Sequence, residues 1–319
     1  MGKRKLILAQ NAEKQWVEKV QQALPDWEVI FGKEEEKWKD HIKDAEIIAG
    51  WKKAMEPYLQ SDLQLKWVQA WSAGVNDMPL KELEKKGVTV TSANGVHAYP
   101  ISETIFALML GLTRKIQAYV KNQEKKEWHH SNLKLEIHNK TIGILGFGAI
   151  GKETAKIAKA FGMKVLGLRH SGKEDEFADA MYTPDSLNSM LPECDFVVVT
   201  LPLTEDTKHM IGKEQFGLMR ESACFINIGR GDIVEENSLI QALQEGGIAG
   251  AGLDVFAKEP LPENSPLWEM ENVIVTPHTA GSTEYYDQRV IEDIFLPNLK
   301  KYLEGEDPGI NKVSFEKGY

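Results

Sequence analysis

Apolar residues along the chain fall in short, unbroken runs separated by charged stretches. The first runs cover residues 5–9, 27–31, 45–50, 66–71 and 88–91, and residues 12–24 between the first two carry an amphipathic helical pattern. A strand that is apolar throughout, rather than at alternate positions, is one covered on both faces. Strands alternating with helices pair in parallel. Roughly the first 95 residues therefore predict one small α/β domain.

After Pro100 the period changes. Ile101, Ile105, Leu108, Leu112 and Ile116 recur at helical spacing and the pattern runs on toward Trp128, which predicts one long helix joining two domains. Its further apolar residues, Phe106 and Met109, suit a second subunit or this chain's own core equally well. Strand-like runs resume at 141–145, 164–168, 196–200, 224–228, 251–255 and 273–276, and a last helix is expected over 284–303. Six strands with intervening helices match a doubly wound dinucleotide fold. The expected class is α/β, with two doubly wound parallel-sheet domains.

Composition agrees. The 319 residues are 42% hydrophobic and 27% charged, enough for two real cores. Lys and Arg total 38 against 48 Asp and Glu, a net charge of -10, which repels the phosphate backbone and argues against nucleic acid as a partner. An anionic ligand would need a local positive site. The 2 cysteines, Cys194 and Cys224, provide no disulfide framework and read as core thiols in a reducing, cytoplasmic compartment. The apolar run behind the basic start is too short for a signal core, and no run approaches the ~18 residues of a membrane span. No Cys/His spacing suggests a metal. The chain ends soon after the last helix, so no appended regulatory domain is expected.

Candidate chemistry begins at Gly146-Phe147-Gly148-Ala149-Ile150-Gly151, a G-x-G-x-x-G that follows a strand and opens a helix. Gly146 permits the turn, Gly148 lets the backbone approach a pyrophosphate, and Gly151 allows close helix–strand contact. The glycines of 246–252 follow a helix and enter a strand, which suits a helix C-cap and no ligand. The second strand of the cofactor unit ends in Leu168-Arg169-His170-Ser171-Gly172-Lys173, with no acid before Glu174. An acid there would bond the ribose of NAD; its absence, with Arg169, His170, Ser171 and Lys173, favours the 2′-phosphate of NADP(H), NAD(H) remaining an alternative.

Three further segments lie just past strand ends, where ligands of open α/β sheets bind: Asn227 to Gly231 with Arg230, Gly252 to Pro262 with Asp254 and Glu259, and Thr276 to Gly281 with His278. Trp71-Ser72-Ala73-Gly74-Val75 follows a strand of the first domain, and its backbone amides suit an anion. Trp51 is expected to line the same cleft.

With the glycine turn, those three segments in this order resemble the D-isomer-specific 2-hydroxyacid dehydrogenase family, the similarity running from about Leu65 to Leu303. The resemblance implies a Rossmann cofactor domain, residues 99–282, inserted into a flavodoxin-like catalytic domain, residues 1–98 and 283–319. It implies Arg230, Glu259 and His278 as catalytic residues and Asp254 at the nicotinamide carboxamide. Leu201, Pro202, Thr207, Ile228, Gly229 and Gly281 would add cofactor contacts, as would Arg230 and His278. Substrate would meet Trp51, Ser72, Ala73, Gly74, Arg230 and His278. The expected reaction is hydride transfer between NAD(P)H and a small 2-oxo or 2-hydroxy acid such as glyoxylate or hydroxypyruvate. Arg230 would hold and polarise the acid, His278 would donate the proton, and Glu259 would stabilise the charged imidazole. A homodimer through the cofactor domains is also implied. The alternative is an NAD(H)-sensing, corepressor-like binding protein of the same family.

Overall fold

Two parallel sheets absorb the apolar runs; the structure, a computed structural model, describes residues 3–75, 77–130 and 135–316. The chain divides into two units, residues 1–96 with 283–319, and residues 97–282.

In the first unit β1 (Lys5–Leu8), β2 (Glu28–Phe31), β3 (Ala45–Ala49), β4 (Trp67–Gln69) and β5 (Thr89–Thr91) lie in the order β2-β1-β3-β4-β5, all parallel. Successive side chains of a strand point to opposite faces, so an apolar run feeds two cores at once. Ile7, Ile48, Val68 and Val90 pack with Trp38 and Met55 in one cluster. Leu6, Leu8, Ile47 and Trp67 pack with Ile291, Phe295 and Leu299 in the other. Phe295 stacks on Trp67 with ring centroids 5.2 Å apart. The last helix is a composite of Tyr286–Arg289, a wider π turn over Val290–Phe295, and Leu296–Leu303. Pro297 supplies no N–H to the turn before it, and the wider turn lies there.

The second unit holds β6 (Thr141–Leu145), β7 (Lys164–Leu168), β8 (Ala180–Tyr182), β9 (Phe196–Val199), β10 (Cys224–Asn227), β11 (Gly250–Leu253) and β12 (Val273–Val275). Their order is β12-β11-β10-β9-β6-β7-β8, again all parallel. The strand absent from the sequence reading is β8, an edge strand of 3 half-buried residues, too short to register as a run. At the centre, β9 buries every one of its side chains, at about 1.5–3 kcal/mol each relative to exposure.

The single long helix expected after Pro100 is two, Ala98–Thr113 and Ile116–Lys125, with Lys115 between them in the left-handed region at φ 51°. The first buries Ile105, Phe106, Leu108 and Met109, whereas the second buries none of its residues. The break falls where contact with the core ends. Phe106 and Met109 belong to this unit's own core, with Phe106 stacked on Phe161 at 5.3 Å. No helix among the described residues is long and apolar enough to cross a membrane.

Candidate active site

The carboxyl edge of the second sheet carries most of the expected residues. Gly146 leaves β6 at φ +106°, and a Cβ there would stand 2.8 Å from the Leu201 nitrogen. A Cβ on Gly151 would be 2.2 Å from the Gly146 carbonyl oxygen, so this glycine is required for the helix to sit against the turn. Gly148 is different: nothing among the described residues lies within 4 Å of its Cβ position. No neighbour among the described residues demands a glycine there, and the open space suits the close approach of a ligand. The helix Ala149–Ala160 starts without a side-chain cap, so its first-turn amides keep their donors and its positive end faces the turn. A pyrophosphate fits this donor set. Phe147 contributes packing: its side chain is in the core and its N–H donates to the Leu168 carbonyl.

Beyond β7, the Arg169 guanidinium closes its own loop, Nε donating to the Lys173 carbonyl and Nη2 to the Glu174 carbonyl, both at 2.8 Å. His170, Ser171 and Lys173 are exposed around it. Asp175, whose side chain is nearly buried, lies 4.0 Å from Arg169 Nη1 and pairs with Lys152 at 2.7 Å. Burial opposes its charge, but Lys152, the Phe177 amide and Arg169 hold its carboxyl below the usual range. A search for an acid at the strand end misses Asp175, because only the folded loop returns it to Arg169. Across the edge, Thr207 Oγ1 donates to the Pro202 carbonyl at 2.7 Å, and a Cβ on Gly229 would be 2.8 Å from the Leu201 carbonyl oxygen. The ends of β9 and β10 are thereby drawn together beside buried Ile228.

Arg230, Glu259 and His278 are set by backbone contacts. Asn227, 2% exposed, accepts from the Gly229 N–H and donates Nδ2 to the Arg230 carbonyl, each at 3.1 Å. Gly231 then lies against the backbone of Phe256. The Phe256 N–H donates to Glu259 Oε1 at 3.0 Å, and Glu259 Oε2 receives His278 Nδ1 at 2.7 Å. An ionised carboxylate only accepts, so the proton of this bond sits on Nδ1 and Nε2 is left for another partner. Burial raises the Glu259 carboxyl, but the His278 bond, the Phe256 amide and the nearby charges of His278 and Arg230 outweigh it, leaving it below its ordinary value and ionised.

His278 itself is held at φ 53°, its N–H donating to the Asp254 carbonyl at 2.9 Å. The Asp254 side chain, 1% exposed, accepts at Oδ1 from the Thr276 hydroxyl (2.6 Å) and Thr279 N–H (2.9 Å), and at Oδ2 from Ala280 N–H (3.0 Å). Its carboxylate is thus directed at the turn that presents His278. Gly281 ends that turn, its carbonyl 2.8 Å from His97 Nδ1. Sequence reasoning passed over Asn227 and Thr276; their only signal was a polar residue at the end of a buried strand.

In the first unit, Trp51 and Ser72 to Gly74 follow the neighbouring strands β3 and β4. Ser72 Oγ donates to the Gly74 carbonyl at 2.6 Å, and the amides of Ala73, Gly74 and Val75 meet no acceptor among the described residues. Trp71 is anchored by its Nε1 donating to Asp287 Oδ1 at 2.8 Å and by its carbonyl accepting from Tyr286 at 2.6 Å. Burial pushes the Tyr286 phenol up to about 12.

Residues 106–280 match the family model for "D-isomer specific 2-hydroxyacid dehydrogenase, NAD binding domain". Glyoxylate reductase of Korarchaeum cryptofilum is 38% identical over 253 residues, 77% of this chain and 75% of that protein. D-3-phosphoglycerate dehydrogenase of Methanocaldococcus jannaschii is 33% identical over 292 residues, 90% of this chain and 55% of that protein, so the chain spans about half the length of this relative. A solved NADPH-dependent glyoxylate/hydroxypyruvate reductase from Sinorhizobium meliloti, in complex with NADP and sulfate, has a TM-score of 0.79 at 28% identity, over 99% of this chain and 100% of that one.

Proposed function

The chain belongs to the D-isomer-specific 2-hydroxyacid dehydrogenase family, and on that premise we propose that it reduces a small 2-oxo acid, glyoxylate or hydroxypyruvate, with NADPH. The observation that carries this reading is the 2.7 Å pair of Glu259 and His278, placed on the same sheet edge as the uncapped glycine turn. In this reading residues 97–282 bind the dinucleotide and residues 1–96 with 283–319 bind the acid.

The reduced nicotinamide, when bound, supplies the hydride. The chain supplies everything else. Arg230 pairs with the substrate carboxylate and polarises the ketone. His278 donates a proton from Nε2 to the ketone oxygen, while Glu259 fixes the tautomer and balances the charge. The amides of Ala73, Gly74 and Val75 take the substrate carboxylate, and Trp51 bounds the pocket. Arg169, His170, Ser171 and Lys173 favour the 2′-phosphate of NADP(H), with NAD(H) accepted more weakly.

A homodimer fits the exposed apolar side chains of the 116–125 helix and its end, Ile116 (51% exposed), Val120 (48%) and Trp128 (104%). The buried free thiols of Cys194 and Cys224 suit a cytoplasmic enzyme. No observation favours the corepressor-like alternative.

The test is direct: purified protein with NADPH and glyoxylate or hydroxypyruvate should consume the reduced-nicotinamide absorbance. Tight NADPH binding without turnover of any small 2-oxo acid would refute the proposal. His278→Ala should lower kcat by about 10²- to 10⁴-fold with NADPH binding retained.

A further inference from the structure

The loop that follows β4 has little packing of its own. Ser72, Ala73 and Gly74 are exposed, whereas Val75 at the far end is 1% exposed and sits in the core with Leu83 and Val88. Most of its carbonyls are occupied: that of Ser72 accepts from the Ala93 N–H at 2.9 Å, that of Gly74 from Ser72 Oγ at 2.6 Å, and that of Val75 from the Met78 N–H at 3.0 Å. The amides of Ala73, Gly74 and Val75 meet no acceptor among the described residues. An exposed backbone held in one conformation loses entropy that some contact must offset. Val75 offsets it at the far end, and the near end needs its own anchor.

That anchor comes from far along the chain. Trp71 is bonded twice by the start of the last helix. Its indole Nε1 donates to Asp287 Oδ1 at 2.8 Å, and its carbonyl accepts from the Tyr286 hydroxyl at 2.6 Å. The Trp71 and Tyr286 rings also pack against Val290 and Ile294. Packing places the indole, but hydrogen bonds are directional and set how the residue is turned. The peptide unit is planar, so a fixed Trp71 carbonyl also fixes the plane from which Ser72 starts. Burial, and then the charge of Asp287, hold the Tyr286 phenol at about 12, so it stays a donor throughout the neutral range.

We propose that Asp287 and Tyr286 are positioning residues for the substrate: through Trp71 they fix the 72–75 loop so that its amides face a carboxylate. The proposal rests on the reductase reading for what the loop holds. Neither residue touches the acid. Both act on its affinity through the direction of the loop.

Steady-state kinetics with NADPH and glyoxylate or hydroxypyruvate compare the wild type with Trp71→Phe, Tyr286→Phe, Asp287→Ala and Asp287→Asn. The first three each remove one bond and should raise KM for the acid about 3- to 10-fold, while kcat changes by less than about 2-fold. The Kd of NADPH should not move. Asp287→Asn keeps an acceptor for the indole and should hold KM within about 2-fold of the wild type. Trp71→Phe with Asp287→Ala should be no worse than either alone, because both remove the same bond. Lower melting temperatures with KM unmoved, or Asp287→Asn as damaging as Asp287→Ala, would overturn the role. Calorimetric titration with oxamate in the presence of NADPH reads the loop without turnover. Oxamate binding weakened about 3- to 10-fold in Trp71→Phe and Asp287→Ala, in a protein that reduces no 2-oxo acid, would sink the reductase reading and leave the positioning role standing. Equal oxamate affinity in the wild type and these variants, or no oxamate binding by the wild type, would overturn the role whatever the turnover.

Discussion

A Cβ on Gly231 would stand 1.9 Å from the carbonyl carbon of Phe256, so the loop that bears Arg230 and the loop that bears Glu259 meet backbone to backbone. No side chain can enter that contact without separating them. Gly231→Ala should therefore cost about 1–3 kcal/mol or more in denaturant unfolding and depress kcat/KM well beyond that loss of folded protein. Gly217→Ala is the control, since nothing among the described residues lies within 4 Å of its Cβ position. It should be neutral or stabilise its helix by up to about 1 kcal/mol. Normal activity in soluble Gly231→Ala would show that the contact does not set the catalytic geometry.

Asp254 is bonded into the turn that carries His278. Asp254→Asn replaces one of the two acceptor oxygens in a site where every neighbour donates, at an expected cost of about 1–3 kcal/mol. Because the turn carrying His278 loses its anchor, kcat should fall more than KM rises. A lower melting temperature with kcat intact would limit Asp254 to a purely structural role.

Arg169→Ala should raise the Kd of NADPH about 10- to 100-fold and that of NADH by much less, measured by fluorescence titration. Equal losses for both cofactors would mean that the guanidinium serves only the loop it closes on the carbonyls of Lys173 and Glu174.

Acid stability has an identifiable source in the first unit. The Arg4 guanidinium, against the opposing effect of burial and with help from the Tyr302 hydroxyl, holds the Glu46 carboxyl at about 2. A carboxylate lowered on folding contributes stability that is fully present above its unfolded value, near ~4.3, and is lost as pH falls through the folded one. Between about pH 4 and pH 2 the wild type should lose on the order of 2 kcal/mol from this group. In Glu46→Gln that part of the slope should vanish, while neutral-pH stability falls. An unchanged acid slope would assign the effect elsewhere.

The proposed dimer is testable by sedimentation. Ile116→Asp with Val120→Asp places two charges on exposed apolar positions of a helix with no fully buried residue. The doubly substituted protein should sediment as a monomer and the wild type as a dimer. Monomeric wild type at micromolar concentration would exclude this face as the contact.

The apolar runs and the glycine turn were enough to indicate two parallel-sheet α/β units, the tight turn between β6 and its helix, and the strand ends that bear Arg230, Glu259 and His278. These are local patterns: period, turn chemistry and residue type are written in consecutive positions. The short edge strand β8 and the break at Lys115 were not legible. A strand of 3 residues carries too little period, and a helix ends where its apolar face loses its partner, which only packing reveals. The same limit applies to Asp175, which the folded loop turns back onto Arg169, and to Gly231 against Phe256 on another loop. Residue types and their order along the chain thus determined what chemistry the protein carries. Folding alone decided which backbone contacts close, as at Gly231 and Phe256, and which carboxylates are bonded into turns, as Asp254 is. Those outcomes depend on distances between segments that no one-dimensional pattern encodes.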